Sequence, residues 1–204
     1  VFADFTNKSE LKSKIDDDYD YVVNLGGYPD HNLLNEGGDK IIKNHFGVKI
    51  NYIQEKTRMG TAGALSLFQK KPNKPFFVIN GDLLTNLNFD KMLDFHIYHN
   101  SNATMCVTEY NIESPYGEVK LDDENIISIE EKPAHKVFVN AGVYILNPKC
   151  IDLIPKKFYD MPTLFKKIIK KKIRTISFPL GEYWLDIGRF NDFKKANDEY
   201  KLMF

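Results

Sequence analysis

Asp82 closes the stretch Lys74-Pro75-Phe76-Phe77-Val78-Ile79-Asn80-Gly81-Asp82, and its carboxylate is a hard oxygen donor of the kind Mg²⁺ prefers. Phe76 to Ile79 is an unbroken apolar run too short for a helix. That is the pattern of a strand buried on both faces, as in the middle of a parallel sheet. In open α/β sheets ligands bind just beyond the carboxyl ends of the strands, which is where Asp82 falls. Gly81 lets a ligand approach the backbone closely. Asn80-Gly81 also reads as a hairpin turn. A hairpin needs a returning strand, and residues 83–87 are expected to lead into a helix instead.

Further polar and glycine clusters follow a regular rule, each lying at the end of an apolar segment. Met59-Gly60-Thr61-Ala62-Gly63-Ala64 falls at a strand-to-helix junction, where backbone N–H groups left free can meet a nucleotide. Equally, Thr61 can simply cap a helix. Downstream stand Pro115-Tyr116-Gly117, Glu130-Glu131-Lys132-Pro133, Asn140-Ala141-Gly142 and Glu182-Tyr183-Trp184-Leu185-Asp186-Ile187-Gly188. Each has a plainer reading. Glu131-Lys132-Pro133 can be a charged strand end, Trp184 core, and Asp186 the cap of a helix near Arg189. The lysines at 166, 167 and 170–172 invite a nucleic-acid reading, but they alternate with Leu164, Phe165, Ile168 and Ile169. The solvated face of an amphipathic helix accounts for them better.

The elements that must position these groups can be read coarsely. Strands are expected at 1–4, 19–25, 48–53, 76–79, 103–110, 118–121, 126–130, 138–146 and 173–180. Helices are expected at 9–15, 39–46, 61–68, 89–99 (capped by Asn88), 162–172 and 191–203. Strands alternating with helices indicate an α/β layer fold with a largely parallel sheet. With 43% hydrophobic residues the 204-residue chain can build a core. Its 28 basic and 28 acidic residues cancel, so charge gives no reason to expect nucleic acid or an anionic membrane as partner. No apolar run approaches the ~18–20 residues of a membrane span, and residues 1–4 do not begin a signal peptide. Cys106 and Cys150 lack metal-ligand spacing, so reduced structural thiols in a cytoplasm are expected.

Taken in order, the clusters resemble those of the sugar-1-phosphate nucleotidyltransferases, over about residues 47–204. The resemblance implies a Rossmann-like nucleotide-diphospho-sugar transferase fold, with a mixed, mostly parallel sheet flanked by helices. It implies a reaction in which a sugar 1-phosphate attacks a nucleoside triphosphate with the help of Mg²⁺, giving a nucleotide sugar and pyrophosphate. Asp82 and Asp186 would hold the metal and, with Lys132, form the catalytic set. Gly60, Thr61 and Gly81 would meet the nucleotide. Gly117 and Glu131 would contact the sugar, Lys132 its phosphate, and Asn140, Gly142 and Trp184 would line the pocket. A homo-oligomer is compatible with such a chain.

Upstream the pattern departs. The family's opening loop Gly-x-Gly-Thr-Arg, which wraps the triphosphate, is not in this sequence, nor is the Pro-Lys pair that follows it. Residues 18–31 with Gly37-Gly38-Asp39-Lys40 and His45-Phe46 resemble an interior piece of the short-chain dehydrogenase/reductases. Residues 1–46 are therefore expected to be a segment of separate origin, packed on or replacing the family's first part, and 47–204 the transferase domain. The milder alternative is that 21–24, 39–46 and 48–53 supply the family's own strand–helix–strand. Tyr116-Gly117-Glu118-Val119-Lys120 has the spacing of the dehydrogenases' catalytic pair, but that pair needs a helix and these residues favour a turn and strand. Without the triphosphate loop, turnover is expected to be slow, or confined to weak binding of nucleotide and sugar phosphate.

Overall fold

The computed structural model describes residues 55–188, the strand Val22–Asn24, and the single positions Ile53, Asp192, Ala196, Asp198 and Glu199. The elements expected at 1–4, 9–15, 39–46 and 48–53, and most of 191–203, lie outside the described residues.

The sheet is built around β2 (Phe76–Ile79), the run expected to be buried on both faces, and all four of its residues are buried. Its spatial order is β1 (Val22–Asn24), β2, β7 (Ala134–Leu146), β4 (Ala103–Glu113) and β8 (Thr175–Pro179). β1 is parallel to β2 and β8 parallel to β4, while β7 is antiparallel to both of its neighbours. Four strands therefore run one way and β7 alone opposes them: the sheet is mixed and mostly parallel. The reversal follows from connection length. β7 is entered from the hairpin of β5 (Glu118–Asp122) and β6 (Asn125–Glu130), and no crossover helix intervenes to turn it round.

Alternation along the strands divides the core between the two faces. Phe76, Val78, Ala103, Tyr144 and Leu146 point to one side, where α1 (Gly60–Gly63), a 3₁₀ turn at Ala64–Leu67, a second at Pro148–Leu153, and α3 (Met161–Lys170) cover them. Phe77, Ile79, Cys106, Val143 and Ile145 point to the other, beneath α2 (Phe89–Tyr98), β3 (Leu83–Thr85) and β9 (Trp184–Asp186). Each fully buried side chain of this size contributes about 1.5–3 kcal/mol. An exposed ion pair such as Lys71 with Asp152 is worth ~0–1 kcal/mol. Apolar layering therefore decides the architecture.

Local signals set the helix ends. Asn88 Oδ1 accepts from Lys91 N at 2.9 Å, the cap expected from the sequence, and Asn100 ends α2 with φ of 49°. α3 buries Leu164, Phe165 and Ile168 as expected, but Ile169 is 59% exposed and belongs to the lysine face. The segment 83–85 corrects the expectation of a direct lead into a helix: it is a strand, paired with β9. β5 and β6 form where strands are expected and pair as a hairpin, yet Val119, Leu121, Ile126 and Ile129 all remain exposed. Lys120 sits within β5, so Tyr116 and Lys120 do not share a helix face and no dehydrogenase pair exists.

One buried histidine ties the layers together at the sheet's other end. His96 on α2 is 1% exposed and bonds through Nδ1 to Thr104 Oγ1 (2.7 Å) and through Nε2 to Asn147 Oδ1 (3.3 Å). Burial lowers its pKa from the ordinary 6.5, outweighing the Asn147 bond that raises it. Since the folded value lies below the unfolded one, the unfolded chain binds more protons as pH drops past 6.5. Stability is full above that pH and is lost below it, by at most about 1.4 kcal/mol per pH unit. Urea unfolding at a series of pH values should show this slope, and His96→Gln should remove this contribution to it.

Candidate active site

At the carboxyl end of β2 the chain turns and enters β3, whose partner is β9, far along the sequence. Leu83 lies opposite Asp186, Leu84 opposite Leu185 and Thr85 opposite Trp184. Ile187 N–H donates to Asp82 O at 2.8 Å, while Thr85 Oγ1 donates to Tyr183 O at 2.9 Å, so the short ladder is tied at both ends. These bonds bring Asp82 and Asp186 together. A methyl group placed on Gly188 would lie 3.0 Å from Asp186 Oδ1 and 3.2 Å from Asp82 Oδ2, so both carboxylates border the same space. Gly188 N–H donates to Asp186 Oδ1 at 2.9 Å, which orients that carboxylate. The donor set fits Mg²⁺, which is commonly held by one or two carboxylates with water and substrate phosphate completing its shell. Among the described residues no cluster of three or more acidic, His or Cys ligands exists, which disfavours a closed structural metal centre.

Beside the carboxylates lies the segment Asn140–Gly142 of β7. Gly142 has φ of +73°, and a Cβ there would come within 2.9 Å of both Asn80 Nδ2 and Leu83 Cδ1, so glycine is required on two counts. Asn80 N–H donates to Gly142 O, and Gly142 N–H to Asn140 Oδ1, at 2.9 and 3.0 Å. Trp184 donates its indole N–H to Ala141 O at 2.9 Å, and Asn140 Nδ2 donates to Tyr144 Oη at 2.6 Å. Trp184 is half-buried, and its only hydrogen-bonding group serves the strand, so within the fold it braces this segment. A third pair is also assembled: Glu131 Oε2 would lie 2.8 Å from a Cβ on Gly117, so glycine leaves the room that this carboxylate occupies. Lys132 follows at φ of 48° in the turn between β6 and β7, exposed and without an ion pair among the described residues.

Gly60 and Thr61 are placed differently from what the sequence suggested. The N–H groups of Ala62 and Gly63 both donate to Tyr159 O at 2.9 Å, and Thr61 N–H donates to Asp160 Oδ1 at 3.2 Å. They are not free, which corrects the reading of this segment as a row of open donors. Thr61 Oγ1 accepts from Met161 N at 2.8 Å and so caps α3, a helix far along the chain rather than its own. Gly60, at φ of +75°, brings the turn against Asp160 with a Cβ position only 2.5 Å from Oδ1.

Three contributors escaped the sequence reading. Asp160 before Met161-Pro162 carried a helix-start signature that could have been found. Gly188 and Asn80 carried none beyond adjacency to a candidate. Asn80 Oδ1 is buried without a hydrogen-bond partner among the described residues, next to Gly142 and two positions before Asp82. Cys106 and Cys150 are both free and buried, and burial pushes their thiols up to about 12 and about 11.

The family model Nucleotidyl transferase matches residues 31–202. The chain belongs to the nucleotidyl transferase family. The match begins inside the segment 1–46, and the resemblance of that segment to the dehydrogenases is not shown. The mannose-1-phosphate guanyltransferase of Kluyveromyces lactis is 39% identical over 166 residues, 76% of this chain and 45% of that protein. The enzyme of the same name from Saccharomyces cerevisiae is 37% identical over 166 residues, with the same shares of the two chains. This nucleotidyl transferase chain thus spans less than half the length of these relatives. Among solved structures, HddC from Yersinia pseudotuberculosis superposes with a TM-score of 0.59 at 26% identity, covering 88% of this chain and 77% of that one. A UDP-glucose pyrophosphorylase complexed with UDP-glucose, at 19% identity and a TM-score of 0.60, shares the fold and covers 89% and 81% of the two chains.

The space at Gly188 yields a direct test of the carboxylate pair. Gly188→Ala should insert a methyl group between Asp82 and Asp186 and weaken divalent-metal binding at least about tenfold, a shift of about 1.4 kcal/mol. Calorimetric titration with Mg²⁺ or Mn²⁺ measures this, and an unchanged melting temperature would show that the fold is kept.

Proposed function

We propose that this chain carries the catalytic core of a sugar-1-phosphate nucleotidyltransferase, joining a nucleotidyl group from a nucleoside triphosphate to a sugar 1-phosphate and releasing pyrophosphate. The observation that carries this reading is the convergence of Asp82 and Asp186 at the carboxyl edge of the sheet, through β3 and β9. Bound between them, Mg²⁺ would supply charge neutralisation for the phosphates. The protein's own share is positioning. A phosphate monoester is already nucleophilic and needs no general base, so holding it in line is most of the task.

The other residues take roles that fit their places. Lys132, exposed and without an ion pair among the described residues, meets the phosphate of the sugar phosphate. Gly117 and Glu131, already in contact, receive the sugar hydroxyls. Asn140 and Gly142 form the pocket floor, braced by Trp184. Gly60, Thr61 and Gly81 shape the nucleotide side. With their N–H groups engaged by Tyr159 and Asp160, Thr61 and its neighbours contribute a fixed surface rather than free donors. Residues 47–204 form the transferase portion in this reading, with 1–46 joined to it where β1 pairs with β2. Mannose 1-phosphate and GTP are the substrate pair to try first, because relatives above 35% identity are named for that reaction. A cytoplasmic setting suits two buried free thiols.

The decisive experiment incubates the chain with Mg²⁺, each of four nucleoside triphosphates and several sugar 1-phosphates, and measures pyrophosphate. Metal-dependent release is expected with one pair, at a rate below the usual ~1–100 s⁻¹ because the family's triphosphate loop is not in this sequence. Asp82→Asn and Asp186→Asn should each abolish that release while circular dichroism and melting temperature stay as in the parent. Saturable binding of nucleotide or sugar phosphate without any pyrophosphate would instead identify a non-catalytic binding module.

A further inference from the structure

At the edge of the sheet opposite the carboxylates, the amino ends of β4 and β8 frame a hollow of about 390 Å³ lined by Asn102, Lys149, Cys150, Leu153, Lys172, Ile173 and Arg174. Its volume is within the range of small-molecule sites, at the lower end. The polar lining has one character. Lys149, Lys172 and Arg174 are cations, and none of them makes an ion pair among the described residues. Asn102 Oδ1 accepts from Asn147 Nδ2 at 3.4 Å, which leaves the Asn102 amide N–H₂ as its remaining polar group. Among the described residues no aspartate or glutamate side chain lines the hollow, so its polar side chains offer donors and positive charge.

The lysine face of α3 does not explain this arrangement. Lys149 comes from the 3₁₀ turn after β7, Lys172 from the turn beyond α3, and Arg174 from the entry to β8. Two segments gather them, the turn Pro148–Leu153 and the connection between α3 and β8 that carries both Lys172 and Arg174, in a chain whose net charge is zero. The walls are fixed by hydrogen bonds. Asn102 N–H donates to Arg174 O (3.0 Å), Asn147 N–H to Asn102 O (2.9 Å), Cys150 Sγ to Asn102 O (3.2 Å) and Lys172 N–H to Ile169 O (2.8 Å). Lys172 is held at φ of 55°, a left-handed conformation that lysine rarely adopts. Hydrogen bonds therefore fix the backbone around the hollow, and an anion placed there would be attracted by three cations.

We propose that this hollow is a second ligand site, distinct from the carboxylate edge, that takes the phosphate groups of a small polyanion such as pyrophosphate or a nucleoside diphosphate. Arg174 offers a planar fork suited to phosphate oxygens, the two lysines add point charges, and Cys150, Leu153 and Ile173 give an apolar floor for the remainder of the molecule. The site does not depend on the transferase reading, since it uses none of that site's residues and needs no Mg²⁺.

Calorimetric titration of the whole 204-residue chain with pyrophosphate, in buffer free of divalent metal, tests it. One saturable site is expected, weakening as salt rises. The double variant Lys149→Ala with Arg174→Ala should bind at least about tenfold more weakly. Lys132→Ala should bind as the parent does, because that lysine belongs to the other edge. Lys172→Gly guards against misfolding, since glycine relieves the backbone at that position while removing one cation, and it should also weaken binding. A parallel titration with a nucleoside diphosphate shows whether the apolar floor adds affinity. No saturable binding at about 1 mM, equal binding by parent and double variant, or loss of binding in Lys132→Ala would each overturn the proposal.

Discussion

Three residue pairs between β3 and β9 hold Asp82 and Asp186 against one another. Alone, a ladder of that length is only marginally stable. It persists because Leu83 is buried against Ile79, Val143 and Ala141, and because Thr85 and Asp82 use their own polar groups to secure Tyr183 and Ile187. The apolar side of the ladder supplies the energy and the polar side supplies the register. A slip of one residue would turn Leu83 outward and Asp186 away from Asp82, so core packing and carboxylate geometry are one constraint.

The same economy governs the segment beside it. Gly142 has no side chain because Asn80 and Leu83 already fill that space, and the left-handed turn it makes lets its carbonyl meet Asn80 N–H. Trp184, which the resemblance places in the pocket lining, donates its indole N–H to Ala141 O. Asn80 Oδ1, buried and unpartnered among the described residues, is the exception in an otherwise satisfied network, and it lies beside the proposed substrate floor. A buried acceptor without a donor costs about 1–3 kcal/mol. Such a group is more readily understood next to a site that a ligand completes than within a plain core.

At the opposite edge the logic is reversed. The carboxylate edge brings Asp82 and Asp186 to one space, and the 390 Å³ hollow is lined by three cations with no carboxylate among its described lining residues. Asn147 connects this end to both layers: it ends β7, bonds to His96 of α2, and bonds to the main chain ahead of β4. β7 itself runs from the Lys132 turn, through the Asn140–Gly142 floor, to the lip of the hollow. One strand thus spans both charged regions.

Several features of this molecule were determined locally and could be read without the fold. The strand at Phe76–Ile79 announces itself by an apolar run of strand length, the start of α2 by Asn88, and the hairpin by a polar turn between alternating segments. Asp82 at a strand's carboxyl end needed only the end of that run to be noticed. What tertiary structure decided was everything that depends on a distant partner. Leu83-Leu84-Thr85 is too short to show any period and becomes a strand only because β9 lies beside it. The N–H groups after Gly60 look open until Tyr159 and Asp160 occupy them. The alternation in β5 suggests a half-buried strand, yet its apolar face is exposed, because alternation records which residues share a face and not whether anything covers it. Lys149 is brought beside Lys172 and Arg174, themselves neighbours in sequence, for the same reason that Asp82 meets Asp186. Hydrogen-bond pairing across a sheet joins residues whatever their separation along the chain, and a one-dimensional pattern carries no record of that pairing.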